Sequence, residues 1–510
     1  MIQTNHVKIS SYDDFSAGTS FGLKLQKKTD GAVLSLQQAG GADGIWISPV
    51  YTAESPFNDL IASWNTHTPA GTHVEVFGRL YLPEYDGWTA PDGRTFNGWS
   101  DWITWGKWSP LIARNCPHQQ DSHPRKDSTE DNGWIYSYSM QGYGDSSLNV
   151  RGNLTASAFQ LKAVLHAEED CLQLPTLRLL AATWKNTLDP DWTKACSYPE
   201  APCTPAESVL LDTPAISQMS LDPDYANQVC SATCIAMLLD GRGEDILAED
   251  ITLMNYDYGF GGNGNWSYSC AAAGEFGYES YVSYSSFEAI RQELTKGYAV
   301  CLSVKYSNKT GDTLQYLTHG PCRTPGHLIT IVGYYFNEGL GEYVYYSNDP
   351  AADCDTETAH REYRQSELDK CWYRRAAYFV HDRYEDACQT GRTYVQAQLV
   401  PAGDHPDPWK LVVDGKHIPI PVDFLKDRRE TYGGHGTICY YIHDEEIELP
   451  ETCRRVTANH KFYYDGFTVT PDGFLTFQKN RLTRILQEGR KVTLYVINNS
   501  GTMWICGCRL

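Results

Sequence analysis

Cys230 opens the stretch CSATCIAMLLDG, in which small residues give way to an apolar run closed by Gly241. A thiol at a helix start lies beside unsatisfied N–H groups and the positive end of the macrodipole, which favour the thiolate, the nucleophilic form. A cysteine taken alone is more often a small buried hydrophobe. The reading of Cys230 as a nucleophile therefore rests on its companions. Such a thiol needs an imidazole to take up and return its proton, and the imidazole needs an acceptor that fixes its tautomer and orientation. His327 heads the β-branched run GHLITIVGYY, and Asp349 ends the aromatic run EYVYYSNDP. The oxyanion of a tetrahedral intermediate also needs donors. The backbone N–H of Cys230 is one candidate, and Gln218, closing TPAISQ, is the candidate side chain.

These residues meet only if the elements carrying them fold back on one another. Gly339 and Gly341 separate the two runs, so the pattern predicts an antiparallel hairpin that sets the start of the first strand beside the end of the second. His327 and Asp349 then share one end of a sheet. Asn348 competes with Asp349 as the orienting acceptor, but adjacent strand residues face opposite sides, so only one of them points at the imidazole. His319, in Thr318-His319-Gly320, is a competing base without a following strand to hold it. Gln228 competes with Gln218, but two residues from the thiol it is poorly placed to fold its amide back over the sulfur.

The order Gln218, Cys230, His327, Asp349, with TPAISQ, CSATCIAMLL, GHLITIVGYY and YYSNDPA, resembles the C39-like branch of the papain-like cysteine peptidases. Gly264-Asn265-Trp266 is similar to an element of bacterial C39-family proteins. The stretches beginning at Ser286 and Gly297 resemble the family's helix and following strand. Two departures stand out: Cys230-Ser231-Ala232 replaces the frequent Cys-Gly-Pro, and Cys234 lies one helical turn from the nucleophile. The resemblance implies an α+β papain-like peptidase domain at residues 206–395. Cys230 would act as nucleophile, His327 as base, Asp349 as orienting acid and Gln218 as oxyanion donor, with a peptide or protein substrate and no cofactor or metal. The same triad would serve a cell-wall peptide amidase or an acyl transferase. From another class, the chain would be a glycan- or protein-binding module whose papain-like domain no longer turns over.

A chain of 510 residues is too long for one ordinary core. A formal charge of −21 argues against nucleic-acid partners, which require clustered Lys and Arg. No apolar run has the length of a membrane span. The first residues lack the charged region, apolar core and cleavage site of a signal peptide, which places the chain in the cytoplasm. The 16 cysteines lack the spacing of a metal site and read as reduced, mostly buried thiols.

Residues 1–205 read as a jelly-roll-like β-sandwich. Val74, Val76, Leu80 and Leu82 alternate with polar neighbours, as do Phe159, Leu161, Ala163 and Leu165, the period of half-buried strands. The segment SWNTHTPAGT, residues 63–72, resembles an element that precedes the peptidase domain in C39-family proteins. Trp99, Trp102, Trp105 and Trp108 recur every third residue. Their sharp reading is a glycan platform, the further partner of the N-terminal domain, and their bland reading is aromatic packing. Three-residue spacing puts successive rings on opposite faces unless the strand bulges. The proline-rich linker at residues 196–205 marks a boundary and suggests that the sandwich folds separately. Residues 396–510 read as a small β-rich or α+β domain with strands at 409–413 and 492–497 and a helix near 479–489. His435 and His460 there read as surface or core residues.

Overall fold

The computed structural model describes residues 5–109, 135–137, 147–387, 393–403 and 408–417, with short gaps at 41–42, 70–71, 91–92, 151, 170, 172, 195, 222–225, 245, 247, 256 and 258–261. Beyond 417 it describes residues 437–443, 462–469, 474–477, 487–489, 491–497 and 502–508. Strands dominate and helices are few. No helix among the described residues is long and apolar enough to cross a membrane.

The N-terminal region forms two antiparallel sheets of seven strands each. In one, Thr72–Thr89 pairs with Ala156–Ala167, Gly78 opposite Leu161. The expected alternation is present: Val74, Val76, Leu80 and Leu82 on the first strand and Phe159, Leu161, Ala163 and Leu165 on the second are fully buried. Burying such side chains contributes roughly 1.5–3 kcal/mol each for the larger ones. In the other sheet, Asp59–His67 pairs with Thr176–Lys185, to which the first strand, His6–Ile9, also pairs.

The tryptophans divide between core and surface. Between Thr104 and Lys107 the strand Ile103–Trp108 slips register around Gly106, whose φ of 98° suits glycine. The extra residue turns Trp105 and Trp108 both inward, where they are wholly buried. Trp99 and Trp102 remain part-exposed, each with its ring 4.7 Å from the Arg79 guanidinium. The bulge aligns two rings with the core, so the four do not form one platform.

The second region is built on the antiparallel sheet order β1-β6-β2-β3-β4-β5, where β1 is Tyr278–Tyr284, β2 Val300–Tyr306, β3 Thr324–Asn337, β4 Glu342–Asn348, β5 Arg361–Arg364 and β6 Trp372–Arg383. Ser208–Leu210 pairs with the back half of β3, so closely that a Cβ on Gly333 would lie 2.3 Å from the Val209 carbonyl. Helices α1 (Cys230–Asp240), α2 (Trp266–Glu275) and α3 (Phe287–Thr295) accompany the sheet. Asn265 accepts a hydrogen bond from Tyr268 N and so caps α2, and Ser286 caps α3 through Ala289 N. The Gly-Asn-Trp element thus marks a helix start.

The two regions share one apolar cluster that includes Trp64, Trp108, Trp266 and Tyr268. The strand Asp59–His67 lies against α2 and β1. Ser267 donates to the Ala62 carbonyl at 2.6 Å, Val282 N to Ser63 Oγ at 3.1 Å, and Asn65 exchanges hydrogen bonds with Ser280 N and O. Thr66 and Thr68, with Trp108 Nε1, converge on the Glu275 carboxylate. The linker therefore joins units that already meet along a buried seam, a closer union than a proline-rich connection alone suggests.

Further along this seam, Lys8 Nζ lies 2.8 Å from both Glu200 and Glu279. Glu200, Glu279 and His381 are near enough to hold a metal ion, but the Lys8 ammonium already provides the cation for both carboxylates. His381 bonds Glu279 at 3.0 Å and Glu293 at 2.7 Å. Burial disfavours its charge, yet the two carboxylates outweigh this and push its pKa up to about 9. A raised histidine pKa adds stability that is complete below about 6.5 and lost as pH rises through the folded value. Stability should accordingly fall by on the order of 3 kcal/mol from this group between about pH 6.5 and 9. Urea unfolding across that range should show a shallower decline in His381→Gln; an identical slope in both proteins would contradict the ion-pair account.

Residues 393–508 contain an eight-stranded sheet in which Thr393–Pro401 runs parallel to Thr502–Cys508 and also pairs with Trp409–Val413, closing the path. The strands expected at 409–413 and 492–497 are present. His435, His460 and most of the segment expected to be helical near 479–489 lie outside the described residues.

Candidate active site

Cys230 is the first residue of α1 and is half-buried, while every residue after it from Ser231 to Asp240 is buried. The first turn is fixed from several sides. Ser231 Oγ lies 2.7 Å from Ser269 Oγ of α2 and 3.0 Å from the Tyr378 hydroxyl of β6, and Thr233 Oγ1 donates to the Val229 carbonyl. Serine at the position after the cysteine therefore has a packing role. Cys234 faces the interior, fully buried beside Cys301, whose thiol pKa burial pushes far up. Ten cysteines between Cys171 and Cys371, Cys230 and Cys234 among them, are free thiols.

The hairpin has the expected sense, with Thr330 opposite Asn348 and Asn337 opposite Glu342. His327 and Asp349 meet at its open end, His327 Nε2 donating to Asp349 Oδ1 at 2.8 Å. That leaves Nδ1 for the Cys230 thiol, with which the ring also interacts. His327 is 4 % exposed and Asp349 wholly buried. Burial works against charge on both. On the imidazole the Asp349 charge and hydrogen bond prevail, with Cys230 adding to them, so its pKa stands well above the ordinary value. On the carboxylate the His327 charge prevails, helped by two tyrosine hydroxyls, and holds it below the ordinary range.

The competitors lie elsewhere. Asn348 turns the other way, its side chain donating to the Thr213 carbonyl and accepting from His360 N. His319 is exposed in a loop with φ 63°, and its carbonyl is held by Arg361. Gln218 is buried; its Nε2 donates to the Ala226 carbonyl at 2.7 Å, which ties it to the loop that leads into Cys230. Its Oε1 has no hydrogen-bond partner among the described residues. The Gln218 backbone N–H bonds the Pro350 carbonyl, which links this segment to the residue after Asp349. Gln228 is exposed.

Two partners of Asp349 were not foreseen. Tyr306 of β2 and Tyr363 of β5 both donate to its Oδ2, at 2.8 and 2.7 Å. Nothing in the local pattern of either strand separates these two from the other members of a set of 34 tyrosines. The only usable sign was that a buried carboxylate requires donors for all its lone pairs.

The arrangement is a thiol at a helix start facing an imidazole that a buried carboxylate orients, with a primary amide beside the helix-leading loop. Residues 210–379, which carry all four groups, match the Peptidase_C39 like family, and residues 5–184 match the Peptidase C39 N-terminal domain. No curated protein matches the chain. Both regions separated by the linker are thus accounted for by the same family, and the chain belongs to the C39-like peptidases, with their N-terminal domain ahead of the peptidase region.

Proposed function

We propose that the chain is a cysteine peptidase of papain-like arrangement, with residues 206–395 as its catalytic domain, residues 1–205 as a jelly-roll-like accessory domain and residues 396–510 as a further β-rich domain. The observation that carries this reading is the 2.8 Å contact between His327 and Asp349 at the hairpin end, with Cys230 also interacting with the ring. Cys230 sulfur attacks the scissile carbonyl and His327 takes up the thiol proton. The imidazolium returns that proton to the leaving amine as the tetrahedral intermediate collapses to a thioester. Water, deprotonated by His327, then attacks the thioester and frees the thiol. Asp349 holds the ring and stabilises its positive form.

Gln218 is the proposed oxyanion donor alongside the Cys230 N–H. One of its two Nε2–H bonds is committed to Ala226, leaving the other for the developing charge. Peptide-library cleavage read by mass spectrometry, with native and thiol-alkylated protein side by side, tests the reaction class. Loss of cleavage on alkylation supports the reading, and undiminished cleavage contradicts it. Gln218→Ala should lower kcat by about a hundredfold to a thousandfold. Labelling of Cys230 by iodoacetamide should be unchanged, because alkylation builds no oxyanion. A loss carried by Gln228→Ala instead would reassign the donor.

A further inference from the structure

Asp349 is wholly enclosed, and its four hydrogen bonds separate by oxygen. Oδ1 accepts from His327 Nε2 at 2.8 Å and from Ala351 N at 3.1 Å. Oδ2 accepts only phenols, those of Tyr306 and Tyr363. These arrive from β2 and β5, strands that are not neighbours in the sheet, and both side chains are fully buried. A carboxylate removed from water needs its lone pairs filled to remain charged. With Oδ2 occupied on both sides, Oδ1 is the oxygen left to the imidazole.

We propose that Tyr306 and Tyr363 are positioning residues of the triad: they hold Asp349 ionised and present Oδ1 to His327, setting the lower pH limit at which the site works. This rests on the reading of Cys230, His327 and Asp349 as the triad. The phenols remain donors because burial, followed by the Asp349 charge, holds their own pKa values well above 10. The groups that face this carboxylate are His327 of β3, Tyr306 of β2, Tyr363 of β5 with Arg361 beyond it, Cys322 in the loop before β3 and, across the imidazole, Cys230 of α1. Hydrogen bonds to the charged form lower a carboxyl pKa, so removing a phenol raises it. Protonated Asp349 no longer supports a positive imidazole, and the acid limb of kcat/KM then moves to higher pH.

Tyr306→Phe and Tyr363→Phe keep the ring and remove only the hydroxyl. Each should move the acid limb upward by about one pH unit, since a hydrogen bond to a charged group is worth about that much. The double variant should move it further, with KM little changed and much of kcat recovered on the alkaline side. A second readout needs no turnover. The carboxylate left with fewer donors becomes the stronger acceptor at Oδ1, so the His327 Nε2–H proton resonance should move downfield. A lower rate with both the acid limb and this resonance unmoved would overturn the proposal and leave the tyrosines as packing residues. Either single variant suffices, because both act on the same oxygen. Full activity in Cys230→Ala would instead overturn the triad on which the proposal rests, so the two failures are distinguishable.

Discussion

Cys230→Ala should abolish cleavage of any peptide that the native chain hydrolyses, and His327→Ala should come close to it, each lowering kcat by roughly ten-thousandfold to millionfold. The size follows from the division of labour, since without sulfur there is no acyl carrier and without imidazole nothing moves the proton to the leaving amine. The double variant should be little worse than either single one, because residues that act as a unit give non-additive losses. The geometry around α1 provides the controls. Cys234, one turn on, is fully buried, whereas Cys230 is half-exposed at the helix start. Mass spectrometry of native protein briefly treated with iodoacetamide should therefore find Cys230 labelled before Cys234. His319→Ala, in an exposed loop whose backbone carbonyl is held by Arg361, should leave turnover near native. Labelling of Cys234 with Cys230 inert, or equal losses from the two histidine variants with unchanged circular dichroism, would overturn the assignment of roles.

The groups that meet at this site were legible where a local rule decided them. Glycines between two β-rich runs meant a hairpin, and a hairpin brings His327 beside Asp349 whatever the rest of the chain does. Strand alternation then separated Asp349 from Asn348, which is bonded on the other side to Thr213 and His360. Alternation likewise marked the inward faces of Thr72–Thr89 and Ala156–Ala167. Contacts between elements distant in sequence were not legible. Tyr306 and Tyr363 reach Asp349 only because β2 and β5 close on the hairpin from different directions. The fate of the tryptophans turned on a bulge at Gly106 that a period count does not contain. The segment at 63–72 was recognised as a stretch that precedes the peptidase domain, but its physical reason needed the seam. Ser63, Asn65, Thr66 and Thr68 are polar because each bonds a group across it.

That seam carries the second large effect. Asp59, on the same strand, is wholly buried and faces Arg374 at 2.6 Å, Lys185 at 3.5 Å and the Tyr284 hydroxyl. Burial pushes its carboxyl pKa up, but Arg374 first and then Lys185 more than offset this and hold it below the ordinary range. Arg374 belongs to β6, so this pair joins the N-terminal sheet to the peptidase sheet. Arg374 and Arg375 both have positive φ, 55° and 58°, a conformation that costs a non-glycine residue about 1–3 kcal/mol. The turn of the backbone there accompanies a side chain directed across the seam, and the Arg374 carbonyl also accepts from Lys185 Nζ at 2.8 Å. Removing the shared anion strands both cations, so Asp59→Ala should lower the unfolding free energy of the whole chain by about 3–5 kcal/mol, and Arg374→Ala, which leaves Asp59 only the more distant Lys185, should cost less. Glycine relieves the left-handed strain that alanine retains, and Arg374→Gly should recover about 1 kcal/mol relative to Arg374→Ala. Because the two regions share one apolar cluster, fluorescence and circular dichroism should report coincident loss of both in urea, in the native chain and in the variants. Two separate transitions in the native protein, with only the first moved by Arg374→Ala, would mean that the seam latches the regions together without making them one cooperative unit.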